Sequence, residues 1–490
     1  MHRLNQNTDV VGESLAKCLI YLGNIFGETA RSPQGVVRSC PFGRAKLAVA
    51  SAIATLTGYN LSQSSEVEVC PVSTFYHGDC LFVMRHDIPP ESVDLIYLDP
   101  PFFTGKVQKG KVGKWQPEAM EVSYEDSRKF WGEKADAMRA KAPMWLRHVA
   151  LTRPDFASYL YYMMERLRSC YRVLKSEGSI YLHCDWRASH FLRTVMDEVF
   201  GYDKFVNEII WAYRTGGATK DRFARKHDTI FYYGKTDKRT FNIIPERSYQ
   251  SHKYGYKNVP YYIDEETGQQ YRDVLPRDVW ELTMGTGTKE RTGYPTQKPI
   301  GLLERIIEAS SNEGDVVLDP FCGCGTTMIA ASRLGRQWIG IDIDASPREK
   351  GDLPTAFKVI HNRSHALFEQ ANYVSRDLGE VMEMDGHKFE SWANEFYRAD
   401  KPRPDKGVDG ITKDGIPIQA KTYEIKYGIL SQFVTDAKYH PLVPKPVKKI
   451  IAVSQVGFDD GARKRKFEIE TAEGIEVRLE TPETMLKLEE

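Results

Sequence analysis

The stretch that most constrains this chain is Val93-Asp94-Leu95-Ile96-Tyr97-Leu98-Asp99-Pro100-Pro101-Phe102. Its apolar run does not alternate with polar residues, which reads as a parallel strand buried on both faces, with Asp99 at its carboxyl end. Pro100 and Pro101 have no backbone donor and fix φ, so the chain leaves the sheet in a stiff, extended turn. The turn offers a carboxylate, carbonyl oxygens without competing N–H groups, and an aromatic face. That set suits a planar base bearing an exocyclic amine. The Phe102 ring would stack on the base while Asp99 and the Pro100 carbonyl accept the two amine hydrogens. Taken alone, the same residues also fit a strand followed by a rigid loop.

Far down the chain, Asp315 to Asp319 forms another buried strand, and Pro320-Phe321-Cys322-Gly323-Cys324-Gly325-Thr326-Thr327 opens a helix from Met328 to Leu334. Gln337 to Asp342 is a further strand ending in an acid. A strand, a Gly-rich turn, a helix and an acid-terminated strand make a nucleoside-cofactor half of a doubly wound fold. The glycines let the backbone approach the ligand, and Asp342 can hold ribose hydroxyls. The Gly-x-Gly spacing is shorter than the dinucleotide fingerprint, and nothing else suggests a pyrophosphate.

Together the two stretches resemble the amino-group DNA methyltransferases that use S-adenosylmethionine. That family carries a catalytic Asp/Asn/Ser-Pro-Pro-aromatic motif and a cofactor motif Phe-x-Gly-x-Gly. Here the catalytic motif comes first, the circular order of the group called β. Further matches are Gly178 to Asp185, Asn207 to Trp211, His227 to Ile230 and Thr296-Gln297-Lys298-Pro299, so the resemblance covers Phe75 to Asp344. It implies an α/β, doubly wound methyltransferase fold with Asp99, Pro100, Pro101 and Phe102 as the catalytic turn. It also implies cofactor contacts from Asp319, Phe321, Gly323, Gly325, Thr326 and Asp342, from Asp79 near the adenine, and from Lys298 near the methionine end. The acid at Asp99 favours adenine N6 in duplex DNA, since Ser-Pro-Pro is the usual cytosine-N4 form. Cytosine N4 is the alternative, and a cofactor-fold binding protein or an RNA enzyme are rivals from other classes.

Composition adds bounds. The 490 residues suggest about two to four domains. Lys plus Arg and Asp plus Glu are both 67, so positive charge for nucleic acid must be concentrated locally. No apolar run reaches membrane-span length, no secretory signal opens the chain, and the eight cysteines make no two-ended zinc pattern, which together read as a cytoplasmic protein with reduced thiols. A homodimer is left open.

Residues 1–70 read as a helical extension, with Val11, Leu15, Cys18, Leu22 and Phe26 at helical spacing. The methyltransferase region is expected over 71–366. Within it, Phe130 to Val149 reads as a lid over the base and DNA backbone, and His183 as a wall of the base pocket. Lys220, Arg222, Arg225 and Lys226 form the clearest basic cluster, suited to phosphates. Residues 235–291, irregular and rich in tyrosine, occupy the place where the resembling family carries its target-recognition region.

A second, smaller α/β unit is expected over 380–490. Asp409 stands at the mouth of a hairpin turning at Asp414-Gly415, and Gln419 and Lys421 lie on one face of the return strand. With Glu390 on the preceding helix, this resembles the Mrr-type branch of restriction-endonuclease-like nucleases. The resemblance implies a magnesium site at Asp409 and Gln419 with Lys421 beside the attacking water, and a fused restriction-modification protein. A DNA-binding module without cleavage is the alternative.

Overall fold

The computed structural model describes residues 73–112, 120–134, 141–213, 219–249, 261–282, 290–343, 355–363, 371–402 and 407–486. The expected amino-terminal helical extension lies outside them. Strands β1 (Thr74–His77) and β2 (Val93–Leu98) come first, followed by an antiparallel hairpin of β3 (Gln108–Val112) and β4 (Met120–Tyr124). Next are β5 (Leu174–Cys184), β6 (Phe205–Ala212) and β7 (His227–Gly234). A separate small sheet is made by β8 (Glu246–Ser248), β9 (Tyr262–Ile263) and β10 (Gln270–Val274). With β11 (Val279–Glu281), β12 (Val316–Asp319), β13 (Gln337–Asp342) and β14 (Asn372–Ser375), the main sheet has nine strands in the order β11-β6-β7-β5-β2-β12-β13-β1-β14. Only β7 runs antiparallel to its neighbours.

The unbroken apolar run of β2 is explained by cover on both faces. Ile96 and Leu98 join a cluster with Phe156, Leu160 and Met163 of the helix Pro154–Val173. Leu95 and Tyr97 join another with Leu302, Leu303 and Ile306 of the helix Ile300–Ser310. Each such side chain contributes roughly 1.5–3 kcal/mol on burial. β12 pairs directly with β2, Val317 opposite Leu95 and Leu318 opposite Ile96. The Asp99 turn and the Gly323 loop therefore leave the sheet side by side at its carboxyl edge, where open α/β sheets bind ligands. The last strand of this sheet, β14, lies beyond residue 366, where the methyltransferase region was expected to close.

The carboxyl-terminal part begins with the helices Leu378–Met382 and Gly386–Phe396. It then forms a sheet in the order β15 (Gly410–Ile411), β16 (Pro417–Lys421), β17 (Lys449–Ser454) and β18 (Glu476–Glu480). β16, β17 and β18 are parallel, while β15 pairs antiparallel with β16. The buried side of this part meets the methyltransferase sheet through Arg376, which pairs with Asp87 and Glu395, and through Arg398, whose Nη2 donates to the His86 carbonyl at 3.0 Å. Among the described residues, no helix is long and apolar enough to cross a membrane.

Candidate active site and cofactor crevice

The catalytic turn is built at the end of β2. Oδ2 of Asp99 receives the Lys298 ammonium, which also donates to the Thr296 carbonyl at 3.1 Å and stands 5.1 Å over the Phe102 ring. Oδ1 of Asp99 is buried and has no hydrogen-bond partner among the described residues. Such a group costs free energy unless something accepts its lone pairs, so this oxygen is set for a donor that arrives from outside. The Lys298 turn is fixed from behind: the Gln297 side chain accepts from Thr292 and donates to the Glu290 carbonyl at 2.7 Å. Thr296 takes φ of 61°, a conformation that non-glycine residues adopt at a cost and that clusters at functional turns.

Phe102 leans on the His183 ring, with centroids 5.6 Å apart. His183 itself is fully buried, bonded to the Tyr97 hydroxyl at 2.8 Å and to Asp228 at 3.3 Å, and edge-on to Trp211. It supports Phe102 from inside the sheet and is not among the residues that line the crevice beside Asp99. By strand alternation His183 shares the face of Tyr181, against the second apolar cluster.

Beside Asp99 opens a crevice of about 260 Å³. Of the residues expected at the cofactor, Asp79, Lys298, Asp319, Phe321, Gly323, Thr326 and Asp342 line it, together with Asp99 and Pro101. Pro100, Phe102 and Gly325 do not. Gly325 sits behind the loop at φ 73°, where a Cβ would come within 2.2 Å of Ile360. Gly323, at φ 50°, faces the Tyr294 ring, with a Cβ 3.1 Å from its nearest carbon. Asp342 accepts the Gly323 N–H at 2.7 Å, so the acid that ends β13 shapes the glycine loop. Asp79 accepts the Leu81 N–H at 2.7 Å and pairs with the buried Arg166 at 2.6 Å. Asp319 is buried, accepts from the Phe321 N–H at 3.0 Å and from the Thr327 hydroxyl, and burial pushes its carboxyl up to about 7.

Of the segment expected as a lid, Phe130, Trp131 and Lys134 stand at the side of this crevice, and residues 135–140 lie outside the described residues. Tyr124 also lines the crevice, and the helix Arg128–Glu133 packs onto Pro154–Val173. Asp126, fully buried, ties the wall to the catalytic turn: it accepts from the Trp131 indole at 3.1 Å and from the Thr104 N–H and hydroxyl at 2.7 Å. These aromatic liners escaped sequence reading because the segment is polar and lacks a clean period. The signal was only its position after the Asp-Pro-Pro turn.

Lys220, Arg222 and Arg225 are exposed on the β6–β7 connection, with Lys226 at its end. Because Thr229, near the start of β7, lies opposite Cys184, the last residue of β5, this connection lies at the same sheet edge as Asp99. Arg225 stacks on Trp186, just past β5, with its guanidinium 3.5 Å from the ring centroid. Of the expected target-recognition region, Tyr254 and Tyr256 lie outside the described residues. Its described start is held at the opposite edge, where Asn242 donates to the Glu308 and Ser311 carbonyls at the end of the helix Ile300–Ser310, both at 2.9 Å.

In the carboxyl-terminal sheet, Asp409 and Lys421 meet, while Gln419 is engaged elsewhere. Oδ2 of Asp409 accepts from the Ala420 N–H at 2.8 Å and from Lys421 at 3.2 Å. Gln419 donates to the Gly407 carbonyl at 3.0 Å, while its Oε1 is buried with no hydrogen-bond partner among the described residues. Glu390 is engaged by Lys401. Among the described residues no group of three or more His, Cys, Asp or Glu is placed to hold a metal.

Comparison with known proteins agrees with this geometry. The family described as DNA methylase, of the N6/N4 type, matches residues 93–349. The type II methyltransferase M.HpaI of Haemophilus parainfluenzae is 37% identical over 196 residues, 39% of this chain and 57% of that enzyme. M.EcaI of Enterobacter cloacae is 28% identical, covering 56% of this chain and 67% of its own. The DNA adenine methyltransferase YhdJ of Escherichia coli is 30% identical, covering 56% of this chain and 79% of its own. The shared stretch thus leaves 43% of the M.HpaI chain and a third of M.EcaI unmatched. With the Asp-Pro-Pro turn and the glycine loop joined at one crevice, and a family match that spans both, this chain belongs to the N6/N4 DNA methylase family.

Proposed function

We propose that this chain methylates the N6 amine of adenine in duplex DNA, with S-adenosyl-L-methionine as the methyl donor. The observation that carries this reading is the divided carboxylate of Asp99, with Oδ2 held by Lys298 and Oδ1 buried and unpartnered beside the crevice. The crevice fits the donor through its glycine cradle, Asp342 and the aromatic walls. When bound, the donor supplies an electrophilic methyl group on a sulfonium.

The chain's own residues do the rest. A base stacked in a duplex is out of reach and must flip, at a cost of a few kcal/mol. Phe102, backed by His183, gives it a stacking face. Asp99 Oδ1 and the Pro100 carbonyl accept the two amine hydrogens and aim the nitrogen lone pair into the crevice, and the proton released after transfer leaves toward Asp99. No strong base is needed, so much of the catalysis is positioning. The acid at position 99 supports adenine over cytosine, as does the name carried by the Escherichia coli relative. Transfer of labelled methyl groups to plasmid DNA, with Asp99→Ala as control, tests the reading. Equal transfer by the variant would overturn the assigned role.

We further infer that the carboxyl-terminal sheet cleaves DNA, making one protein of modification and restriction. The Asp409–Lys421 contact, with Gln419 on the same strand as Lys421 and its Oε1 buried and unpartnered among the described residues, supports this. The Asp409 carboxylate and Gln419 Oε1 are oxygen donors, the kind magnesium takes, and Lys421 is near enough to orient a water. Magnesium would supply charge neutralisation at a phosphate. The test is magnesium-dependent cleavage of unmethylated DNA that is lost in Lys421→Ala. Normal methylation without cleavage under any divalent metal would leave a DNA-binding module.

A further inference from the structure

His77 ends β1 and is 1% exposed. Its Nδ1 lies 2.9 Å from Oε2 of Glu380, and its Nε2 lies 3.1 Å from the Ile343 carbonyl. Both partners are oxygen acceptors, so the ring is held between the helix that carries Glu380 and the Ile343 backbone. Glu380 belongs to the helix Leu378–Met382, which opens the carboxyl-terminal part. Its carboxylate is further held by the Tyr373 hydroxyl, at 2.8 and 3.0 Å to the two oxygens, and by the Ser375 hydroxyl. Burial alone would raise this carboxyl, but the bonds from His77, Ser375 and Tyr373 bring it down to about 2.

His77 does not itself line the cofactor crevice, but residues next to it do. It is in register with Asp342 across the β1–β13 pair, and Gly78, Asp79, Asp342 and Ile343 all line the crevice. The chain of contacts therefore runs from the first carboxyl-terminal helix, through one buried ring, to the backbone that carries the crevice wall. Both residues fall outside the stretch shared with the family, residues 93–349.

We propose that Glu380 is a positioning residue for cofactor binding: acting through His77 on the Ile343 carbonyl, it fixes the Asp342–Ile343 wall and couples the crevice to the carboxyl-terminal part. This rests on the crevice being the S-adenosyl-L-methionine site. Coupling is reciprocal, so cofactor binding should in turn steady the helix that carries Glu380.

The test uses the full chain and calorimetric titration with S-adenosyl-L-methionine. Glu380→Ala should weaken binding about tenfold, a usual size for coupling between sites, and raise KM for the cofactor while kcat at saturation stays within about twofold. Glu380→Gln, which keeps an oxygen acceptor for His77, should recover most of the affinity and guards against a variant that does not fold. Arg398→Ala, which breaks a separate contact between the same two parts, should leave affinity unchanged. Added cofactor should slow amide exchange in residues 378–386 of the wild type but not of Glu380→Ala. Unchanged affinity in Glu380→Ala, or equal weakening in Arg398→Ala, overturns the proposal. A wild-type protein that binds no S-adenosyl-L-methionine would instead remove the function reading beneath it, and would show before any variant is compared.

Discussion

Lys298 and Asp99, 199 residues apart in the chain, form a nearly buried ion pair at the mouth of the crevice, 7% and 17% exposed respectively. The pair assigns different work to the two oxygens of one carboxylate. A buried charge that loses its partner is costly, so Lys298 is what allows Asp99 to remain at the edge of a dry pocket.

The two residues should therefore behave as one unit in catalysis. Asp99→Asn and Lys298→Met are each expected to lower the single-turnover rate by about 10²–10³, the usual effect of removing one preorganised polar contact. The double variant should be little worse than either single one, since groups that act together are not additive. Rate losses that multiply in the double variant would show that Lys298 serves the cofactor independently of Asp99.

The glycine loop gives a separate expectation. Gly323→Val places a β-branched side chain at φ 50° and drives a Cβ toward the Tyr294 ring at 3.1 Å. Asp342→Ala removes the acceptor that holds the Gly323 N–H, a charge-assisted bond worth about 1.5–3 kcal/mol. Both should weaken S-adenosyl-L-methionine by tenfold or more, measured by calorimetry, while the thermal transition of the purified protein stays single. Wild-type affinity in both variants would place the cofactor elsewhere.

What could be read from sequence is uneven, and for physical reasons. The β2 run was legible because a strand covered on both faces cannot hide its composition. The helix Pro154–Val173 is marked by Tyr159, Met163 and Leu167, buried at helical spacing, although Tyr171 one turn further on is exposed. Pairs such as Asp99–Lys298 and His77–Glu380 left no local trace, because they join turns that only the sheet order brings together. The crevice liners Tyr124, Phe130, Trp131 and Lys134 were not legible, because a charged segment looks the same whether it arches over a site or flanks it. The burial of His183 behind Phe102 could not be read from an unbroken apolar run, where periodicity does not tell the two faces apart.

The basic connection between β6 and β7 should bind DNA by charge and not by sequence. Arg225→Ala removes a guanidinium already ordered by stacking on Trp186, and is expected to weaken all duplexes alike. If Arg225 touches one phosphate, the slope of log affinity against log salt should fall by about 1. Cofactor affinity should not move. A variant that changes the methylated site with no change in salt slope would make this loop part of sequence recognition.

Asp319 makes stability depend on pH in a direction opposite to most carboxylates. Burial, with the Asp99 and Asp342 charges adding to it, raises its carboxyl from 3.8 in the unfolded chain to about 7 in the native one. Below 3.8 both states hold the proton, so the group contributes no slope. Between 3.8 and about 7 the native state keeps a proton that the unfolded chain has released. Folding then takes up a proton, and stability falls as pH rises through this window. Above about 7 both states are ionised and the loss is complete, on the order of 4 kcal/mol. Asp319→Asn cannot ionise and should lack this slope while still accepting from the Phe321 N–H. Urea denaturation of both proteins between about pH 5 and 8 measures it. The wild-type curve is expected to fall toward that of the variant or below it as pH rises. Parallel curves across the window would mean that the Asp319 carboxyl is already ionised in the folded protein, held by its Thr327 and Phe321 donors despite burial.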